Sequence, residues 1–120
     1  MKTIHVAFDI DGTLRKNTEL RHKTTVEINV EILELLIMTA RMKNTVVHLW
    51  SNRGAAYCRE MRTLMKIEKY VKLTNCHKKM WLKMQVECMA LNETFFKPDI
   101  AYDDQQRFDG AYLNIIVRQK

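Results

Sequence analysis

The chain is expected to fold as an α/β protein, a three-layer sandwich around a mostly parallel five-stranded Rossmann-like sheet. Three observations lead there. Apolar or β-branched runs of strand length alternate with amphipathic segments of helix length along the whole sequence. That alternation is the mark of β-α-β units, whose helices cross over between parallel strands with right-handed connections. Three of the strand-like runs end in polar side chains, at Asp9, Ser51 and Asp103. In a parallel sheet these ends share one edge, the edge where open α/β sheets bind ligands. Finally, the chain has only three glycines and one proline. Its connections are therefore short or polar, and no linker, repeat or low-complexity segment divides it. A single domain over residues 1–120 is expected.

The first strand is Thr3–Phe8, which alternates and then turns wholly apolar. Residues 9–25 are polar, and 15–25 form a loop or short flap. Ile28, Ile32, Leu35, Leu36 and Thr39 recur at helical spacing and predict a helix over Glu27–Met42, with Thr24 or Thr25 as its N-cap. T-V-V-H-L-W, Thr45–Trp50, is a second strand rich in β-branched residues. Ser51-Asn52-Arg53-Gly54 breaks it, and a basic amphipathic helix follows over Ala55–Lys69, with Tyr57, Met61, Leu64, Met65 and Glu68 on or beside one face. Tyr70–Leu73 is a short third strand. Lys78–Asn92 is a helix with Trp81, Met84, Cys88 and Leu91 as its apolar stripe. Asp99–Tyr102 is a fourth strand ending in Asp103-Asp104, Gln105–Gly110 a turn or short helix, and Leu113–Val117 the last strand.

Composition narrows the function classes. No apolar stretch approaches the roughly 18 residues needed to span a bilayer, nothing resembles a signal peptide, and a cytoplasmic protein with no membrane partner is expected. Cys58, Cys76 and Cys88 are odd in number and widely spaced, which fits buried free thiols rather than a disulfide framework or a zinc knuckle. The net charge is +6, and it is concentrated. Between Arg41 and Lys83 stand eleven lysines and arginines against Glu60 and Glu68. Such a block favours an anionic partner, or else it is a solvated helix face. His5 and His48 fall inside strands and are expected to pack rather than ligate. Trp50 and Tyr57 have rings that can stack on a base, with core packing the favoured role.

The run V-A-F-D-I-D-G-T-L, Val6–Leu14, delivers Asp9 and Asp11 from a buried strand into a Gly12-Thr13 turn. Two carboxylates in that position repel each other unless a cation or proton intervenes. A calcium loop of the EF-hand kind would need a glutamate at its twelfth position, which counted from Asp9 is Leu20. Mg²⁺ takes one or two carboxylates plus water and phosphate oxygens, and Asp9 and Asp103 can supply the carboxylates from neighbouring strand ends. Ser51, with the N–H groups that follow it at a helix start, forms an anion site, and Arg53 can reach the same phosphate with a bidentate fork.

These motifs resemble those of the haloacid dehalogenase superfamily, mostly Mg²⁺-dependent phosphatases, and they follow the family's order from Val6 to the last strand. The resemblance implies a HAD-like fold with Asp9 as nucleophile and metal ligand and Asp11 as general acid/base, also counted among the metal-site residues. Ser51 corresponds to the second motif, and Asn52, Arg53 and Lys78 line the phosphate site with it. The third-motif lysine falls to Lys79, then Lys78; Lys83 stands one turn further, and Lys97, beside Pro98, would lie at the wrong edge of the sheet. Asp103 and Asp104 match the acidic pair of the fourth motif as metal ligands. There is no substantial cap domain, and capless members tend to act on macromolecules or to borrow a partner as lid. The sequence also resembles the phosphatase domain of phage polynucleotide kinase–phosphatases, through S-N-R after the second strand, a lysine-bearing helix, and D-D-Q-Q-R with Arg107. The expected activity is therefore a phosphoric monoester hydrolase working through an aspartyl-phosphate, on a nucleotide or nucleic-acid phosphate. Two alternatives stand beside it: a non-enzymatic HAD-like module that grips nucleic acid or protein by its basic face, and a small-metabolite phosphatase.

Overall fold

The computed structural model describes residues 2–16, 27–72, 98–104 and 111–118. In chain order the elements are β1 (Ile4–Asp9), α1 (Val30–Ala40), β2 (Thr45–Trp50), α2 (Ala55–Leu64), β3 (Val71–Lys72), β4 (Ile100–Asp103) and β5 (Leu113–Ile116). The strands form one five-stranded sheet in the order β3-β2-β1-β4-β5, and every pairing is parallel. The molecule is therefore of the α/β class, as the alternation predicts. The predicted helix over 78–92 and the turn over 105–110 lie outside the described residues.

The period-2 alternation of the strands sorts their side chains onto two faces. Val6 and Phe8 of β1 stand level with Val47 and Leu49 of β2. They pack with Leu36 of α1 and with Cys58 and Met61 of α2 in one buried cluster, so both described helices cover the same face. Each large aliphatic side chain buried there contributes roughly 1.5–3 kcal/mol. Ile100 and Tyr102 of β4 extend that cluster, and the Tyr102 ring stacks on Phe8 at 4.7 Å. The opposite face carries Ala7, Trp50, Ala101 and Ala111. Trp50 and Cys58 are buried, as expected of core residues, and His48 is buried too. Among the described residues, no helix is long and apolar enough to cross a membrane.

Both helices are shorter than their sequence patterns predict, for different reasons. Before α1, Glu27–Asn29 is tied down as extended chain: Lys16 N–H donates to Glu27 O at 2.8 Å and Asn29 N–H to Leu14 O at 2.7 Å. The helix therefore starts at Val30 with Asn29 as N-cap, rather than at Glu27 behind Thr24 or Thr25. At the end of α2, Lys66 takes a left-handed conformation with φ 57°. Lys66 N–H then bonds Thr63 O and Ile67 N–H bonds Arg62 O, the paired contacts of a Schellman stop. That places the helix end at Leu64, and leaves Leu64 exposed while Met61, Met65 and Ile67 are buried.

Candidate functional site

The sheet changes direction of growth at β1. From β1 the chain adds β2 and β3 on one side, then β4 and β5 on the other. The crevice between β1 and β4 is thus the switch point at which this architecture offers a binding site. β1 and β4 run in register through Phe8 and Tyr102; the next residues on each are Asp9 and Asp103. Both are only 3% exposed. With half-buried Asp104 they can offer three carboxylate oxygens lying within 4.8 Å of one another. Three like charges at that separation repel at a poorly hydrated site, and a cation, shared protons or neighbouring donors offset the repulsion. The donor set is all oxygen, which suits a hard divalent cation. Asp9 also accepts a hydrogen bond from Thr13 Oγ1 at 3.2 Å.

The turn after β1 is built around Gly12, whose φ of 85° lies in the region glycine enters without strain. Ile10, Thr13 and Leu14 are fully buried and anchor the turn from beneath. Asp11 is carried outward, its side chain 31% exposed. Its carboxylate has a different set of neighbours from that of Asp9. Tyr57 Oη donates to Asp11 Oδ1 at 2.7 Å, and guanidinium nitrogens of Arg15 and Arg53 each stand 3.6 Å from its oxygens. Arg15 in turn donates to Tyr57 Oη at 3.2 Å. The Arg53 guanidinium lies over the Tyr57 ring, 4.1 Å from its centre, within cation–π range. Burial pushes the Tyr57 phenol up from its ordinary pKa, and the bond to Asp11 adds to the shift while Arg15 opposes it. At neutral pH Tyr57 is therefore a hydroxyl donor.

The segment 51–54 completes this side of the rim. Trp50 pairs with Asp9 in the sheet, so Ser51 begins the loop one residue past the level of Asp9. Buried Ser51 Oγ accepts from Arg53 N–H at 3.0 Å, and Ser51 O accepts from Gly54 N–H at 3.2 Å. Gly54, the N-cap of α2, has φ 90° and ψ −176°, a conformation nearly closed to residues with a Cβ. The tight loop fixes where Arg53 leaves the backbone, and α2 brings Tyr57 beneath it.

Of the residues singled out from the sequence, Asp9, Asp103 and Asp104 converge on one point. The Asp11 side chain is not grouped with them; a phenol and two guanidiniums engage its carboxylate. Ser51, Asn52 and Arg53 form the adjoining loop. Lys78 and Lys79, like Lys83 and Lys97, lie outside the described residues, as do Cys76, Cys88 and the flap beyond Lys16. Two participants were not foreseen. The sequence puts Arg15 only in a polar loop, and Tyr57, which does pack half-buried against the core cluster as expected, also bonds Asp11 through its hydroxyl. Their nearness along the chain is the only signal that could have found them: Arg15 follows Asp11 by four positions, and Tyr57 follows Arg53 by four, separations a tight turn can close.

Away from this rim, His5 and His48 behave as packed residues. Their rings stack with centroids 5.1 Å apart, and His5 Nδ1 lies 2.9 Å from His48 Nε2. Among known proteins, no family model, no curated protein and no solved structure matches this chain.

Proposed function

We propose that the chain is a HAD-type, Mg²⁺-dependent phosphatase that works through an aspartyl-phosphate on Asp9 and acts on a nucleotide or nucleic-acid phosphate. The observation that carries this reading is the meeting of Asp9, Asp103 and Asp104 within 4.8 Å at the switch point of a parallel sheet, with Asp11 two residues on in a glycine turn. Asp9, Asp103 and Asp104 would hold Mg²⁺, which when bound neutralises phosphoryl charge.

The chain's own residues supply the rest. An oxygen of Asp9 attacks phosphorus, the ester P–O bond breaks, and the leaving oxygen takes a proton from Asp11. Water, giving its proton back to Asp11, then cleaves the acyl phosphate to inorganic phosphate and restores Asp9. Ser51 and Asn52, with the 44%-exposed side chain of Arg53, would supply donors to the non-reacting phosphoryl oxygens. The resemblance to the family assigns the supporting lysine to Lys79 or Lys78. Exposed Arg59, Lys66 and Lys69 on and after α2 favour a polyanionic substrate.

The test is phosphate release from an aryl phosphate with Mg²⁺ and with chelator, followed by a panel of 3′- and 5′-phosphorylated oligonucleotides, mononucleotides and sugar phosphates. Turnover is expected only with Mg²⁺, lost in Asp9→Asn and in Asp11→Asn, and greatest on nucleotide or oligonucleotide esters. Turnover that persists in Asp9→Asn removes the nucleophile. The basic surface of α2 also fits a binding module without chemistry, which would show salt-sensitive oligonucleotide binding and no turnover on any ester.

A further inference from the structure

We infer that Tyr57 is the positioning residue of this site, holding Asp11 through its hydroxyl and Arg53 through its ring. The inference rests on the phosphatase reading for its kinetic consequence, though not for its geometry. Asp11 sits on a turn and is partly exposed, so its carboxylate has rotamers to choose from. The shortest contact that selects one is the Tyr57 hydroxyl at 2.7 Å; the guanidiniums at 3.6 Å constrain direction less. Tyr57 is itself fixed from two sides, by its place in the first turn of α2 and by Arg15, which donates to its oxygen.

The same ring does a second, separable job. Arg53 is an exposed side chain on a four-residue turn, and a free arginine there would lose much of its rotamer freedom on binding a phosphate. Lying 4.1 Å over the ring centre, it is held beside Asp11 before any ligand arrives. One aromatic residue thus orients the proton-transfer group by a polar contact and the phosphate-binding group by a flat one. The two contacts use different parts of the side chain, so two substitutions separate them. Tyr57→Phe removes the hydroxyl and keeps the ring, whereas Tyr57→Leu removes both.

The experiment measures kcat and KM on an aryl phosphate, and calorimetric affinity for inorganic phosphate, in the full chain with Mg²⁺. Tyr57→Phe is expected to lower kcat about tenfold, the scale of a lost hydrogen bond to a charged group, with KM and phosphate affinity unchanged. Tyr57→Leu is expected to lose the same in kcat and, in addition, to weaken phosphate binding roughly threefold to fivefold, the scale of an exposed cation–π contact. Arg53→Gln should weaken phosphate binding at least as much. A Tyr57→Phe protein with wild-type kcat overturns the inference. So does a Tyr57→Leu protein that binds phosphate as tightly as wild type, a result that counts whether or not turnover is seen. Equal losses of kcat and phosphate affinity in both variants, with equally lowered melting temperatures, also overturn it by showing a packing role alone. If the wild type binds phosphate but hydrolyses no ester, the phosphatase reading falls while the ring-to-Arg53 contact is still decided by the affinities.

Discussion

Asp9 and Asp103 are both nearly sealed from solvent, and their mutual repulsion is eased by any positive charge or hydrogen-bond donor beside them. Asp103→Asn removes one of the three charges. It is expected to raise the Mg²⁺ concentration needed for half-maximal turnover at least tenfold; a titration of activity against Mg²⁺ measures the effect. His48 makes a second prediction. Burial, with His5 and Lys72 nearby, lowers its pKa to about 4, against about 6.5 in an unfolded chain. Between these values the unfolded state binds the proton more readily than the folded one, so stability is lost as pH falls from about 6.5 towards 4. The contribution is about 3 kcal/mol; at His5 burial also lowers the pKa, while Asp99, bonded to the His5 backbone N–H at 2.8 Å, opposes the shift. His48→Gln should flatten that part of the stability profile measured by denaturant at a series of pH values. At this scale the sequence was legible where chemistry is written in a run, as in D-I-D-G and Y-D-D. It was illegible where a role depends on a neighbour from another element, as with Tyr57 and Arg15.

The strands could be read almost to the residue because their composition marks them: a run such as Thr45–Trp50 is rich in β-branched and apolar residues and is bounded by polar ones. The helix ends could not, because the devices that stop them leave little trace in composition. α2 stops at a lysine in the left-handed region, where a glycine would have been an obvious signal. That position makes a prediction of its own: Lys66→Gly relieves the Cβ strain of the left-handed conformation and is expected to stabilise the protein by roughly 0.5–1 kcal/mol, read by denaturant melts. The reverse holds at the start of the same helix. Gly54→Ala places a Cβ where φ is 90° and ψ −176° and is expected to cost about 1–3 kcal/mol. It also displaces Arg53 and Tyr57, so phosphate affinity should fall with stability, whereas Lys66→Gly should leave affinity alone.

Across the whole molecule, the order β3-β2-β1-β4-β5 puts the first and fourth strands side by side although about three quarters of the chain separates them. The sequence disclosed which strands end in acids and led to the expectation that two of those ends are neighbours; the sheet order shows that they are. A ligand bound at that seam stabilises the folded state in proportion to the logarithm of its concentration over its dissociation constant. Mg²⁺ is therefore expected to raise the melting temperature of the wild type and of Tyr57→Phe, but not of Asp9→Asn/Asp103→Asn together. A melting temperature that ignores Mg²⁺ in the wild type would remove the metal assignment.

Because Asp9 and Asp103 belong to stretches far apart along the chain, the seam between them cannot exist until β4 has reached β1. Ion capture would then coincide with the insertion of β4 beside β1, making metal affinity a gauge of completed assembly. Shortened products lacking the last strands would stay silent to Mg²⁺, however well their first two strands had paired.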